Sequence, residues 1–253
     1  MRLSVQGARG PVCPRAQRLM SRFALILLGA RAVLLGAPRA VYAGRPAARE
    51  AMRLRAGTVL AVPPENRGGK QPVFVYLHGI AGGPGRGCAE FSRSVSAYGW
   101  LVCPEGNVRD GATRSWGGSL AEQWAVVQGA LAAVAAEPDV DAGAPVVLLG
   151  YSQGAYLAEQ LLRGYPGKIR AALFVGANIR LDKKTLVAAG VSKVAYAAGE
   201  FDGTYAYQRE SHLLLEREGF SVQFRSLGRV GHTYIGQSEA QSVDALVSWM
   251  AND

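Results

Sequence analysis

Ser152, Asp202 and His232 are three side chains whose types and chain order could together break an acyl bond. A serine hydroxyl is a weak nucleophile at neutral pH, so a base must take its proton. An imidazole does that and later returns the proton to the leaving group, while a carboxylate holds the imidazole in the required tautomer and stabilises the imidazolium. Ser152 is the centre of Gly150-Tyr151-Ser152-Gln153-Gly154, Asp202 lies in Gly199-Glu200-Phe201-Asp202-Gly203, and His232 lies in Val230-Gly231-His232-Thr233-Tyr234. The chain has 3 histidines. His212 falls in an expected helix from Tyr205 to Glu218, on a solvated face, and His78 falls in a glycine-rich loop, so His232 is the candidate base. Glu200 and Asp182 are alternative acids. Asp202 is preferred because Gly203 would permit a turn that aims the carboxylate at the histidine.

Acyl chemistry also needs two N–H donors where negative charge develops on the carbonyl oxygen. One is expected from Gln153, which follows the serine. The other is expected from the loop His78-Gly79-Ile80-Ala81-Gly82-Gly83, with Ile80 the choice and Ala81 behind it. That loop lacks the Lys-Ser/Thr ending of a P-loop, which argues against phosphate binding. Trp116, Tyr151 and Tyr205 are candidates to line the substrate site, with packing in the core or at the rim as the plainer alternative.

These residues need elements to carry them. Val146-Val147-Leu148-Leu149 reads as a buried strand, and the run from Ala155 to Arg163 as a helix. Ser152 therefore sits on a tight strand-to-helix turn, where Gly150 and Gly154 remove collisions. Other strands are expected at Thr58–Val62, Val73–Leu77, Trp100–Cys103, Ala171–Val175, Val191–Ala197 and Ser221–Arg225. Helices are expected from Cys88 to Tyr98, from an N-cap at Ser119 to about Ala136, and from about Ser238 to Trp249, with a loop over 104–118. Strands that are continuously apolar and alternate with helices imply an α/β domain: a mostly parallel central sheet with helices on both faces. Ligands of such sheets bind beyond the carboxyl ends of the strands, where all three candidates fall. No insertion after the strand at 171–175 is long enough for a large cap domain.

From about residue 70 to the C-terminus the chain resembles the α/β-hydrolase superfamily, in particular its phospholipase/carboxylesterase-like and dienelactone hydrolase-like branches. The residues that carry the resemblance are His78-Gly79 after a strand, Arg114-Ser115-Trp116, Gly150-Tyr151-Ser152-Gln153-Gly154, Asp202 and Gly231-His232. Asp202 departs from the carboxylesterase pattern, being followed by Gly203-Thr204-Tyr205 and not by a polar-proline-valine run. The resemblance implies hydrolysis of ester or thioester bonds in a small-molecule substrate, without cofactor. A peptidase of the same fold and a non-catalytic binding protein on a hydrolase scaffold are the competing readings. No metal-ligand cluster is visible in the sequence.

The net charge of +9 resides at one end of the chain: residues 1–55 hold 11 arginines and one acid, leaving 17 basic and 18 acidic side chains elsewhere. A nucleic-acid-binding domain would carry its basic residues on its own surface, so no nucleic-acid partner is expected. Residues 1–43 read as a signal peptide or other N-terminal leader: arginines, then the apolar stretch Phe23–Ala37, then Val41-Tyr42-Ala43 as a cleavage site. Arg31 and the short length argue against a membrane span. Export, to the periplasm or the exterior, is therefore expected, with an organelle transit peptide as the alternative. Residues 44–56 read as a linker or first edge element, and 57–253 as the hydrolase-like domain. Cys13 would leave with the leader. Cys88 and Cys103 remain, at neighbouring ends of a helix and the following strand, where either a disulfide or two small buried side chains would fit.

Overall fold

A computed structural model describes residues 52–53 and 59–252. The leader at 1–43 and most of 44–56 lie outside the described residues. Among the described residues there are ten strands: β1 (Met52–Arg53), β2 (Val59–Val62), β3 (Val73–Leu77), β4 (Trp100–Pro104), β5 (Val108–Asp110), β6 (Thr113–Ser115), β7 (Val146–Tyr151), β8 (Ile169–Val175), β9 (Lys193–Ala198) and β10 (Val222–Ser226). The helices are α1 (Pro84–Val95), α2 (Leu120–Val134), α3 (Gln153–Gly164), α4 (Lys183–Ala189), α5 (Tyr205–Arg217) and α6 (Asp244–Ala251). Eight strands form one sheet in the order β1-β2-β4-β3-β7-β8-β9-β10, and β5 and β6 form a separate hairpin. The run from β4 to β10 is parallel throughout, while β1 and β2 pair antiparallel at one edge.

The central strands are apolar along nearly their whole length because both faces are covered, with Arg170 and Lys193 half-buried at the amino ends of β8 and β9. Val73, Val75 and Leu77 of β3 enter the core beneath α2, α3 and α5, while Phe74 and Tyr76 enter the core beneath α1 and α6. Strands β7, β8 and β9 divide their side chains in the same way. Each valine, leucine, isoleucine or phenylalanine side chain buried in this way contributes about 1.5–3 kcal/mol relative to exposure. The α/β class, the parallel sheet and helices on both faces are thus present as the hydrophobic pattern implies.

Several boundaries differ from expectation. Helix α1 starts at Pro84 and not Cys88, because proline suits a first helical position and the glycines behind it hide the apolar period. Gly87 is required there: a Cβ would overlap the Tyr76 ring. The 104–118 loop contains the β5–β6 hairpin, whose six residues are exposed or half-buried and so show no apolar signal. Helix α4 was not foreseen. Asp182 caps it, accepting the Thr185 N–H at 2.8 Å, which removes Asp182 as a candidate acid. The expected final helix divides into a 3-10 turn at Glu239–Gln241 and α6. Ser119 does cap α2, in a capping box with Glu122.

Cys88 and Cys103 form a disulfide between α1 and β4, with Cα atoms 6.0 Å apart. Both residues are fully buried, and the closed loop spans 15 residues. A loop of that size stabilises the fold by about 3 kcal/mol in the chain-entropy model. The Cys88→Ala/Cys103→Ala variant is accordingly expected to unfold at lower denaturant concentration than the oxidised protein, with a slope equal or steeper because its unfolded chain is less compact, in urea titrations followed by circular dichroism.

Candidate active site

Ser152 joins β7 to α3 in a conformation that side chains rarely adopt, φ 51° and ψ −118°. Such a residue costs about 1–3 kcal/mol and persists only where its surroundings impose it. Here the surroundings are backbone. A Cβ on Gly150 would overlap Ala155, and one on Gly154 would overlap the Leu77 carbonyl. The two glycines thus let α3 start directly against the ends of β7 and β3. Gly150 relieves contacts within the turn, against Gly154 and Ala155, as expected, and Gly154 relieves contacts with the end of β3 at Leu77 and His78.

The other two side chains come from the loops after β9 and β10. His232 Nε2 lies 3.0 Å from Ser152 Oγ, and His232 Nδ1 lies 2.8 Å from Asp202 Oδ2. An ionised carboxylate only accepts, so Nδ1 carries the proton and Nε2 is left to accept from the serine hydroxyl. The two loops are laced together: Glu200 N–H donates to the Gly228 carbonyl and Phe201 N–H to the Val230 carbonyl. Asp202 is buried and His232 half exposed, with 4% and 48% of their side-chain surface accessible. Burial pushes the Asp202 carboxyl up, but hydrogen bonds from Thr204 N–H, His232 and the Thr204 hydroxyl outweigh it and hold the group below the usual carboxylate range.

Gly203 does not make this turn: it has no left-handed φ, and a Cβ there would meet open space. The turn is held instead by Thr204, whose N–H and hydroxyl bond Asp202 Oδ1 at 2.9 and 3.0 Å. Glu200 accepts from the Ser226 hydroxyl and does not reach the imidazole. Gly176, which the sequence did not single out, is essential to the row. It has φ 62°, and a Cβ would come within 3.0 Å of His232 Cε1 and 3.2 Å of Asp202 Oδ2.

The expected donors also adjoin Ser152. A Cβ on Gly79 would lie 3.2 Å from Ser152 Cβ, so the loop after β3 runs beside the serine. Among the described residues, the N–H groups of Ile80 and Gln153 have no internal acceptor, whereas the Ala81 N–H donates to Ser115 Oγ at 2.9 Å. Ile80, and not Ala81, is therefore available. The loop is pinned by His78, which is buried and hydrogen-bonded at both ring nitrogens. Nδ1 donates to the Gly79 carbonyl at 2.8 Å and Nε2 accepts the Gly106 N–H at 2.9 Å. Burial holds the His78 pKa below its usual value. A lowered histidine pKa means that the unfolded chain binds the proton more readily. Stability is then full above about pH 6.5 and is lost as pH falls toward the folded value. Urea midpoints are expected to drop from pH 7 to pH 5, and His78→Asn, which keeps a donor at the Nδ1 position, is expected to be less stable at pH 7 but to lose this part of the slope.

Of the three aromatic candidates, Tyr151 alone lines the cleft beside His232. Its hydroxyl donates to the His232 carbonyl at 3.0 Å, which braces the histidine loop. Trp116 is buried, with its indole N–H on the His78 carbonyl at 2.9 Å, and serves packing. Tyr205 packs edge-on against Phe224, 5.4 Å between centroids, and does not line the cleft. The cleft has a volume of about 380 Å³, and its lining includes Tyr76, Ile80, Arg86, Tyr151, His232 and Tyr234. A separate cavity of about 310 Å³ at the amino ends of β3 and β7, lined in part by Trp124 and Lys168, holds none of these groups. Among the described residues, no three His, Cys, Asp or Glu side chains gather to hold a metal ion, and no helix is long and apolar enough to cross a membrane.

No protein-family model matches the chain, and no curated protein matches it in sequence. Solved structures do match it. A carboxylesterase of Bacillus cereus superposes with a TM-score of 0.55 at 20% identity, covering 76% of this chain and 92% of its own. The fluorophosphonate-binding serine hydrolase FphF of Staphylococcus aureus gives 0.55 at 13% identity, covering 77% and 92%. The thermophilic esterase Est2 of Thermogutta terrifontis gives 0.52 at 15% identity, covering 81% and 93%. Strand order, parallel register and these likenesses place the chain among proteins of the α/β-hydrolase fold.

Proposed function

We propose that this protein is a serine hydrolase that cleaves carboxylic ester or thioester bonds in a small-molecule substrate through an acyl-enzyme. The observation that carries the reading is the unbroken row from Ser152 Oγ to His232 to Asp202, at 3.0 and 2.8 Å, ending at a serine held in a strained turn. Ser152 Oγ attacks the substrate carbonyl carbon as its proton passes to His232 Nε2. The carbonyl electron pair moves onto oxygen, and the N–H groups of Ile80 and Gln153 stabilise the oxyanion by donating hydrogen bonds to it. Asp202 stabilises the imidazolium. Collapse of the tetrahedral adduct breaks the bond to the leaving alkoxide or thiolate, which takes the proton from Nε2. Water then loses a proton to the same nitrogen, attacks the acyl carbon and regenerates Ser152 with release of the acid.

The open cleft beside Tyr151 and His232 suits a substrate that enters without a covering domain. The fold shared with two esterases and a serine hydrolase supports the same reading. Export follows from the arginine-led leader, and the Cys88–Cys103 disulfide supports it, because structural disulfides persist in oxidising compartments. The test is incubation with a fluorophosphonate probe followed by peptide mass mapping. Modification of Ser152, together with turnover of chromogenic esters of graded chain length, is the expected result. Folded protein that neither labels nor turns over any ester of the panel would return the assignment to a binding role.

A further inference from the structure

Arg86 stands in the wall of the cleft beside His232. It lies in the first turn of α1, where Gly87 lets the helix close on the Tyr76 ring and the Cys88–Cys103 disulfide ties the helix to β4. The lining around it is apolar or aromatic, with Ile80, Tyr76, Tyr151, Tyr234 and Ile235. Among the described residues, no acidic side chain lines the cleft, and Arg86 makes no hydrogen bond or ion pair. The nearby carboxylates are engaged elsewhere: Asp202 with the imidazole at 2.8 Å, and Glu90 with Arg93 at 3.1 Å.

Local electrostatics does not explain an arginine at this position. A cation in the first turn opposes the helix dipole, and α1 has no acidic residue there to offset it. Glu90 is one turn on, but a cation placed N-terminal to its acid is the weaker orientation on a helix. The charge is felt inside the cleft. Burial raises the Tyr234 hydroxyl above its usual pKa, and Arg86 is the strongest influence drawing it back down. Tyr234 in turn meets Tyr151 edge-on at 4.8 Å between centroids, and Tyr151 lies 5.2 Å from the His232 ring. The guanidinium is thus joined to the imidazole by a continuous aromatic wall. An apolar cleft with one charged group suits a ligand with an apolar body and one group of opposite charge.

We propose that Arg86 selects the substrate: it binds an anionic group, a carboxylate or a phosphate, on an ester whose apolar part lies against the tyrosines. The proposal rests on the ester-hydrolase reading and adds the chemical class of the substrate to it. A guanidinium presents paired N–H donors that match both anions. The contact lies away from the reacting carbonyl and is made before and during reaction alike, so its effect falls mainly on KM.

The experiment compares kcat/KM within matched pairs of esters. 4-Nitrophenyl hexanoate is set against the 4-nitrophenyl half-ester of adipic acid, which carries a carboxylate on the acyl side. 4-Nitrophenyl butyrate is set against 3-carboxy-4-nitrophenyl butyrate, which carries one on the leaving group. At least one charged ester is expected to be preferred by about 10-fold, and the pair that shows it tells which side of the ester the anion occupies. The preference should weaken as salt is added. Arg86→Gln should bring the ratio within about twofold of unity, and Arg86→Glu should invert it. A merely structural role would change both members of a pair alike and leave the ratio unmoved. No preference in the wild type, or one that survives Arg86→Gln, would overturn the proposal. Calorimetric binding of the same esters to Ser152→Ala makes the comparison without turnover, so a failure to hydrolyse any ester counts against the hydrolase reading alone.

Discussion

Ser152→Ala is expected to reduce kcat on chromogenic esters by about 10⁴- to 10⁶-fold and to abolish fluorophosphonate labelling. The loss is large because removing the nucleophile removes the acyl-enzyme route altogether, leaving only the polarising N–H groups and binding. Ser152→Gly should be equally inactive and more stable, by about 1 kcal/mol, since glycine adopts φ 51° without the penalty that serine bears. Paired measurements of turnover and urea midpoint check both halves. An active Ser152→Ala would sink the mechanism. A Ser152→Gly less stable than wild type would show that the turn is not strained.

Asp202→Asn is expected to lower kcat by about 10⁴-fold while the fold survives. The geometry explains why an isosteric change is so costly. Thr204 donates to Oδ1 with both its N–H and its hydroxyl, so the amide must keep its oxygen there. The amide nitrogen then faces His232 Nδ1 and donates to it. That forces the ring proton onto Nε2, where the serine hydroxyl needs an acceptor. Glu200→Gln should stay near wild-type turnover, since Glu200 bonds the Ser226 hydroxyl instead. If the two variants exchange these outcomes, the acid is Glu200. The depressed Asp202 pKa adds a stability signature. A carboxylate whose folded pKa lies below its unfolded one stabilises above the unfolded value, and that contribution is lost as pH falls through the folded value, below about pH 4. Asp202→Asn should lack this acid-side component.

The hydrophobic runs of β3, β7, β8 and β9 were readable because burial on both faces demands unbroken stretches of apolar side chains. The strand-serine-helix joint was readable because its glycines are local. The β5–β6 hairpin was not. It is short, largely exposed and polar, and its structure comes from pairing with Gly82 and with itself. The substrate-facing aromatics were hard to sort for a related reason. Trp116 and Tyr205 have the composition of lining residues, but their neighbours, His78 and Phe224, come from distant parts of the chain.

Residue order alone therefore indicated the class of fold, the serine turn and the pairing of Ser152 with His232, since each of these depends on short-range pattern or on residue chemistry. Tertiary structure decided which acid meets the imidazole, why Gly176 must lack a side chain, and which loop N–H remains unspent. Those outcomes turn on distances between segments tens of residues apart, and hydrogen bonds formed across such gaps leave no period or motif in the chain that makes them.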